Sequence, residues 1–300
     1  MNPLTPQAQA IVAAHQAALA LPIATTAEPV FSSADPVYRA AKQAALALGF
    51  IAIDAECVGL AWQAQTQRSG RFDAQAWPAE PADFGLRAWP RSDAFASCPK
   101  ALGLYAVLPD AAWVGRMARA GVPTVQLRFK SDDASAVARE VKAAVAAVRG
   151  TNALLFINDH WQAAVDAGAY GVHLGQEDLE LADLAAIRAA GLRLGLSSHG
   201  YAEMLRADRW SPSYIALGAV FPTTLKRMAT AAQGPGRLHA YARLLRDYPL
   251  VAIGGIDGGN LAQVLASGVG SVAVVRAITG AAHPQDAAAR LLAQLGARKI

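Results

Sequence analysis

From residue 102 onward the chain alternates between two patterns. Short apolar runs recur as "LGLYAVL" (from Leu102), "TVQLR" (Thr124), "ALLFIN" (Ala153), "GVHLG" (Gly171), "RLGLSS" (Arg193), "YIALG" (Tyr214), "LVAIGG" (Leu250) and "SVAVV" (Ser271). Between and after them lie Ala-rich segments of helical period, at 111–120, 135–149, 161–167, 181–190, 202–208, 237–246, 259–267 and 284–295. The first pattern predicts buried strands and the second amphipathic helices. Gly121, Gly150, Gly168, Gly191 and Gly268 follow five of the helical segments, as helix C-caps do. Strand and helix alternate eight times. Continuous apolar strands joined by helices predict a parallel sheet covered on its outer face. Eight units in roughly 200 residues predict an α/β fold of the (β/α)8 TIM barrel type, rather than an open doubly wound sheet.

The first 100 residues follow neither pattern. "DPVYRAAKQAALALGF" predicts a helix with Pro36 at its start and Gly49 at its end, and "DAECVGLAWQAQTQRSG" a second helix closed by Gly70. "AIVAAHQAALALPIATT" lacks a basic leader and is interrupted by His15 and Gln16, so it reads as an amphipathic or partly disordered helix, not a targeting segment. From about residue 68 to 100, Pro78, Pro81, Pro90 and Pro99 break regular structure and predict an extended connector. The expected division is therefore a small helical and extended appendage over 1–100, of two helices plus a Pro/Trp-rich connector, and a barrel over 101–300.

Composition narrows the function classes. An apolar fraction of 54% against 17% charged residues supports a large core. A net charge of +4 suits anionic substrates, but no Lys/Arg cluster interleaves with aromatics, so nucleic acid is not expected as a partner. Two cysteines, Cys57 and Cys98, match neither a disulfide framework nor a zinc site, which points to a reducing cytoplasm. No run reaches the ~18 apolar residues of a membrane span. A homo-oligomer is neither required nor excluded.

In a (β/α)8 barrel, chemistry sits at the C-terminal ends of the strands. In "QLRFK", Gln126, Arg128 and Lys130 alternate with Leu127 and Phe129 and so share one side of the strand. The alternative is an outward, solvated Arg and Lys; the helix-covered outer face favours the inward reading. The third strand ends in Asn158-Asp159, and the fourth leads through "GQED" to Asp178, one βα unit later on the same rim. Two carboxylates beside Arg128 and Lys130 suggest Mg2+ bridging a polyphosphate. A helix N-cap would also account for Asp178, though not for Asp159. Ser197 can donate to a phosphate, whereas His199 reads equally as structural. Gly218, Pro222, Thr223, Thr224 and Lys226 form a loop with hydroxyls and a cation. Gly254 and Gly255 end the seventh strand and Arg276 the eighth, the customary phosphate position of this fold. The rim therefore offers two anion sites, one for a pyrophosphate with a metal pair and one for a monophosphate.

Taken in order and spacing, "QLRFK", "FINDH", "GVHLGQEDL", "LGLSSHG", "ALGAVFPTTLK", "QGPGRL", "VAIGGI" and "GVGSVAVVRAI" resemble the motifs of the thiamine phosphate synthase (thiamine-phosphate pyrophosphorylase) family over about residues 102–295. The resemblance implies a transferase that joins 4-amino-5-hydroxymethyl-2-methylpyrimidine diphosphate to 4-methyl-5-(2-phosphoethyl)thiazole. It implies that Asp159 and Asp178 hold Mg2+, and that Gln126, Arg128, Lys130, Asn158, Ser197 and Lys226 bind the pyrimidine diphosphate. Arg128, Lys130, Ser197 and Lys226 are the implied catalytic groups, and Thr223 and Gly255 hold the thiazole phosphate, with Thr224 and Arg276 beside them. Leu225 stands where many members have Thr, and Arg276 where Ser is common. Two other readings compete: a thiazole tautomerase on the same barrel, which would need no metal pair, and a barrel that binds thiamin-type ligands without turnover. The intact rim residues favour the transferase.

Overall fold

The computed structural model describes residues 3–22, 29–89, 91–223 and 231–297. Three helices open the chain: α1 (Pro6–Leu19), α2 (Pro36–Ala47) and α3 (Ala52–Ser69). Their starts follow local chemistry. The Thr5 hydroxyl accepts from Ala8 N–H (3.2 Å) and the Asp35 carboxylate from Tyr38 N–H (2.9 Å), each followed by a proline at the first helical position. α3 ends at Gly70 in the left-handed conformation. The expectation of two helices is thus corrected to three. The run at 6–19 is a regular helix because Ala8, Ile11 and Leu19 are buried on one side of it. The connector also contains a 3-10 turn at Pro81–Phe84, which buries Phe84.

The remainder is a closed barrel whose eight parallel strands pair in sequence order, the eighth with the first. They are β1 (Gly103–Leu108), β2 (Thr124–Leu127), β3 (Leu154–Asn158), β4 (Gly171–Leu174), β5 (Arg193–Ser198), β6 (Tyr214–Leu217), β7 (Leu250–Ile253) and β8 (Ser271–Val274). The intervening helices are α4 (Ala111–Arg119), α5 (Ala134–Ala147), α6 (Trp161–Ala167), α7 (Leu184–Ala189), α8 (Tyr201–Asp208), α9 (Gly234–Leu244) and α10 (Leu261–Leu265), and after β8 come α11 (Arg276–Thr279) and α12 (Pro284–Gly296). Only α11 escapes the helical-period reading, being a single turn.

Strand parity divides the core. Leu104, Ala106 and Leu108 of β1 point outward to the helices and join one apolar cluster with Val125, Ile157, Leu194 and Ile215. Tyr105, Val107, Phe156, Tyr214, Ala216, Val251 and Ala273 point inward and form a second cluster within the barrel. The interior is filled, not hollow. Its large rings are accommodated by glycine on neighbouring strands: a methyl at Gly195 would overlap the Tyr214 ring, and one at Gly171 the Phe156 ring.

The N-terminal helices pack along the side of the barrel, against α8 and α9. The buried Asp54 carboxylate accepts from Ala202 N–H (2.8 Å) at the start of α8, and Trp77 Nε1 donates to the Tyr201 hydroxyl (2.8 Å). Arg237 of α9 is 2% exposed; it donates to Leu19 O (2.9 Å) and Leu48 O (2.8 Å) and lies over the Phe50 ring. One barrel cation thereby satisfies carbonyls at the ends of both α1 and α2. The connector then passes the strand N-termini, where Lys100 Nζ donates to Arg246 O and Tyr248 O (both 2.6 Å). Asp54 thus reaches the loop after β5, but none of the described residues before Leu102 lines the cavity at that end, where the strands finish.

Candidate active site

A cavity of about 910 Å3 opens at the C-terminal ends of the strands. Gln126, Arg128, Lys130, Asn158, Asp159, Asp178, Ser197, Thr223, Gly255 and Arg276 all line it, so the rim residues expected from the sequence converge on one space. Thr224 and Lys226 lie outside the described residues, as does Leu225.

The acidic side is set by two turns. At the end of β3 the backbone of Asp159 adopts φ +62°, a left-handed conformation that L-residues with a side chain rarely take. Its N–H is tied to His173 O (3.0 Å). This turn brings the carboxyl to the mouth, where β3 would otherwise run on into α6. After β4, Asp178 Oδ2 accepts from Gly175 N–H (2.8 Å) and folds "GQED" back over the strand. Asp178 therefore braces its own loop and begins a 3-10 turn, while the N-cap of α7 is Asp183, which accepts from Ala186 N–H (2.9 Å).

The two carboxyl groups meet. Burial first, and the facing Asp178 second, push the Asp159 carboxyl above the ordinary range, while Arg128 pulls it the other way. Two oxygen-donor groups crowded at a partly wet rim fit a hard cation that keeps waters and takes phosphate oxygens as further ligands, as Mg2+ does. No cluster of three or more His, Cys, Asp or Glu side chains suited to a metal occurs among the described residues, so a closed cage of the zinc type does not fit.

The opposite side is built by close approach of two loops. Gly254 (φ +104°) and Gly255 (φ +64°) end β7, and Gly254 O accepts from Phe221 N–H (2.9 Å). A Cβ on Gly255 would sit 2.7 Å from Pro222 O and 2.8 Å from Phe221 Cβ. Glycine is required there both by conformation and by space. Thr223 follows directly, and Arg276 stands at the first position of α11, facing the same cavity.

The floor holds groups that the sequence reading passed over. Gln126 Nε2 donates to the Tyr105 hydroxyl (3.0 Å), which bonds to the Tyr214 hydroxyl (2.8 Å). Tyr214 reaches His173 Nδ1 (2.7 Å), and His173 Nε2 reaches Ser197 Oγ (2.8 Å). Burial holds the His173 imidazole down to about 4 and keeps both phenols well above their ordinary range. All three rings are thus neutral at pH 7. Strand parity alone places these side chains inside; what it lacks is that they touch across the barrel. His199, which also lines the cavity, bonds to Glu203 in the first turn of α8 (Nδ1 to Oε2, 2.6 Å).

Comparison with known proteins identifies the family of the barrel. A family model described as "Thiamine monophosphate synthase" matches residues 104–278. The thiamine-phosphate synthase of Neisseria meningitidis serogroup B is 58% identical over 184 residues, covering 61% of this chain and 90% of that protein. That of Salmonella paratyphi B is 54% identical over 202 residues, covering 67% and 96%. The solved thiamine phosphate pyrophosphorylase of Pyrococcus furiosus superposes with a TM-score of 0.58 at 29% identity, over 65% of this chain and 95% of that one. The matched stretch runs from β1 to α11 and contains every lining residue described above, and on this basis the chain belongs to the thiamine monophosphate synthase family.

Proposed function

We propose that this protein condenses 4-amino-5-hydroxymethyl-2-methylpyrimidine diphosphate with 4-methyl-5-(2-phosphoethyl)thiazole, giving thiamine phosphate and pyrophosphate in thiamine biosynthesis. The observation that carries the reading is one cavity lined by two chemically different groups of residues, Asp159 and Asp178 with Arg128 and Lys130, and Gly254 and Gly255 with Thr223 and Arg276. Residues 101–300 form the catalytic unit in this reading, and 1–100 an extension of it.

Asp159 and Asp178 would hold Mg2+, which when bound neutralises charge on the diphosphate. Arg128 and Lys130 hold the same diphosphate and stabilise the charge that gathers on it as the methylene C–O bond breaks and pyrophosphate departs with the electron pair. Gln126, Asn158 and Ser197 hold the pyrimidine ring. Its amino substituent feeds electron density to the electron-poor methylene left behind. Thr223, Gly255 and Arg276 anchor the thiazole by its phosphate, with Thr224 alongside. The ring nitrogen lone pair is then close enough to close the new C–N bond before water intervenes. Lys226 is assigned to the diphosphate with Arg128 and Lys130. In this reading the work is done in a reducing, cytoplasmic setting on two phosphorylated small-molecule substrates, with Mg2+ as the metal.

Steady-state kinetics with the thiazole phosphate and with the corresponding thiazole alcohol test the assignment of the second anion side. The phosphate is expected to raise kcat/KM by about a hundredfold or more, through binding energy spent on positioning. Equal rates for the two would remove the monophosphate site from the account.

A further inference from the structure

The floor chain has a direction, and the direction has a consequence for substrate recognition. It links Gln126 on β2 to Tyr105 on β1, Tyr214 on β6, His173 on β4 and Ser197 on β5, so it crosses the barrel. Each member has a limited stock of donors and acceptors. The Gln126 amide nitrogen can only donate. Tyr105, having accepted, turns its single proton toward Tyr214. Tyr214 turns its own toward His173 Nδ1. A neutral imidazole that accepts at Nδ1 carries its proton on Nε2 and donates it to Ser197. Ser197, having accepted, keeps its proton for whatever occupies the cavity.

We propose that this relay sets the hydrogen-bond polarity of the pyrimidine floor, with Ser197 held as a donor and the Gln126 amide oxygen left as an acceptor. Tyr105, Tyr214 and His173 are then positioning residues that act through Ser197. The inference rests on the assignment of the pyrimidine to this floor. A 4-aminopyrimidine carries a donor amino group beside an acceptor ring nitrogen, and so matches a floor offering one acceptor and one donor. A 4-oxo ring in its lactam form presents an acceptor in place of the amino group and a donor N–H in place of the ring nitrogen, and meets the same floor mismatched at both positions. Fixing the protons beforehand makes the site selective, because a mismatched ring leaves a buried polar group unpaired.

Two features keep the chain from reversing. Tyr105 and Tyr214 are 1% exposed and His173 8%, so bulk water does not compete for their protons. The Tyr214 ring is stacked on His173 and its position is opened by the missing side chain at Gly195.

The test is the tautomer of His173, read by 15N NMR of the ring nitrogens in the intact protein near pH 7.5 and assigned with a His173→Gln variant. The account expects the proton on Nε2. It expects Gln126→Glu, which presents only acceptors to Tyr105, to reverse the chain and move that proton to Nδ1. A proton on Nδ1 in the unaltered protein overturns the proposal, whatever reaction the protein catalyses. A double-mutant cycle reads the same relay in turnover. Tyr214→Phe is expected to lower kcat/KM about tenfold with Ser197 present and less than about twofold in the Ser197→Ala background. Equal losses in both backgrounds would show that Tyr214 does not act through Ser197.

Discussion

Asp159 holds φ +62° one residue beyond an apolar strand, in a conformation that costs on the order of 1 kcal/mol for an L-residue. The strain is offset by its tie to His173 O and positions the carboxyl opposite Asp178. His173 offers a separate handle on the floor. Its folded-state value of about 4 lies below the ordinary 6.5, so the unfolded chain takes up a proton between those values while the folded protein does not. Stability from this residue is complete above pH 6.5 and declines as pH falls toward 4. Between pH 7.5 and 5 the loss is about 2 kcal/mol. Urea unfolding at those two pH values should show a fall that is smaller by about that amount in His173→Gln; identical falls would mean that the ring is protonated in the fold. The carboxylates were legible in the sequence because an acidic residue ending an apolar run has few bland explanations. Tyr105, His173 and Tyr214 were not, because an aromatic residue inside a strand has one very common explanation, the core. The Tyr105 to Tyr214 bond also joins residues 109 positions apart.

At the scale of elements, strand-and-helix alternation made the barrel readable, since parallel strands buried on both faces leave continuous apolar runs. The loops were less readable, because they are defined by approach between segments distant in sequence. The β7 loop is an example: "IGGI" shows two glycines, while the reason for them is Phe221 and Pro222 on the neighbouring loop. Gly255→Ala is expected to raise KM for the thiazole phosphate about tenfold and leave KM for the pyrimidine diphosphate within about twofold, as seen by initial rates with each substrate varied in turn. Equal effects on both would show that the loop serves the whole cavity. The α9 helix carries a different load. Arg237 is buried among the ends of α1 and α2, and its side chain also donates to Gln233 Oε1 (3.2 Å). Arg237→Ala leaves helix-end carbonyls without a donor, and thermal and denaturant melts should show a loss of about 3 kcal/mol or more. A loss below about 1 kcal/mol would show that water replaces the guanidinium without cost.

Across the whole molecule, about two thirds of the chain accounts for 90% and 96% of the two relatives described. The first 100 residues are additional to that unit, and their composition showed helices and a connector without showing where they would dock. The structure gives the docking a physical basis in the Asp54 carboxylate and the Trp77 indole, which bond to α8, and in the buried Arg237 guanidinium of α9, which bonds to the ends of α1 and α2. No helix among the described residues is long and apolar enough to cross a membrane. The mouth, at the strand C-termini, is formed by barrel residues alone among those described, which leaves both anion sides accessible to small substrates.

The central claim is metal-dependent joining of the two phosphorylated substrates at the Asp159–Asp178 rim. It is tested most directly by measuring thiamine phosphate formation from both substrates with Mg2+, with Mg2+ removed by chelation, and with Asp159→Ala. The account predicts product only in the first case at full rate, with the variant slower by at least about a hundredfold in kcat/KM. Product formed at an undiminished rate after chelation or in the variant would contradict the metal role. No product under any condition, with both substrates bound, would contradict the transferase itself.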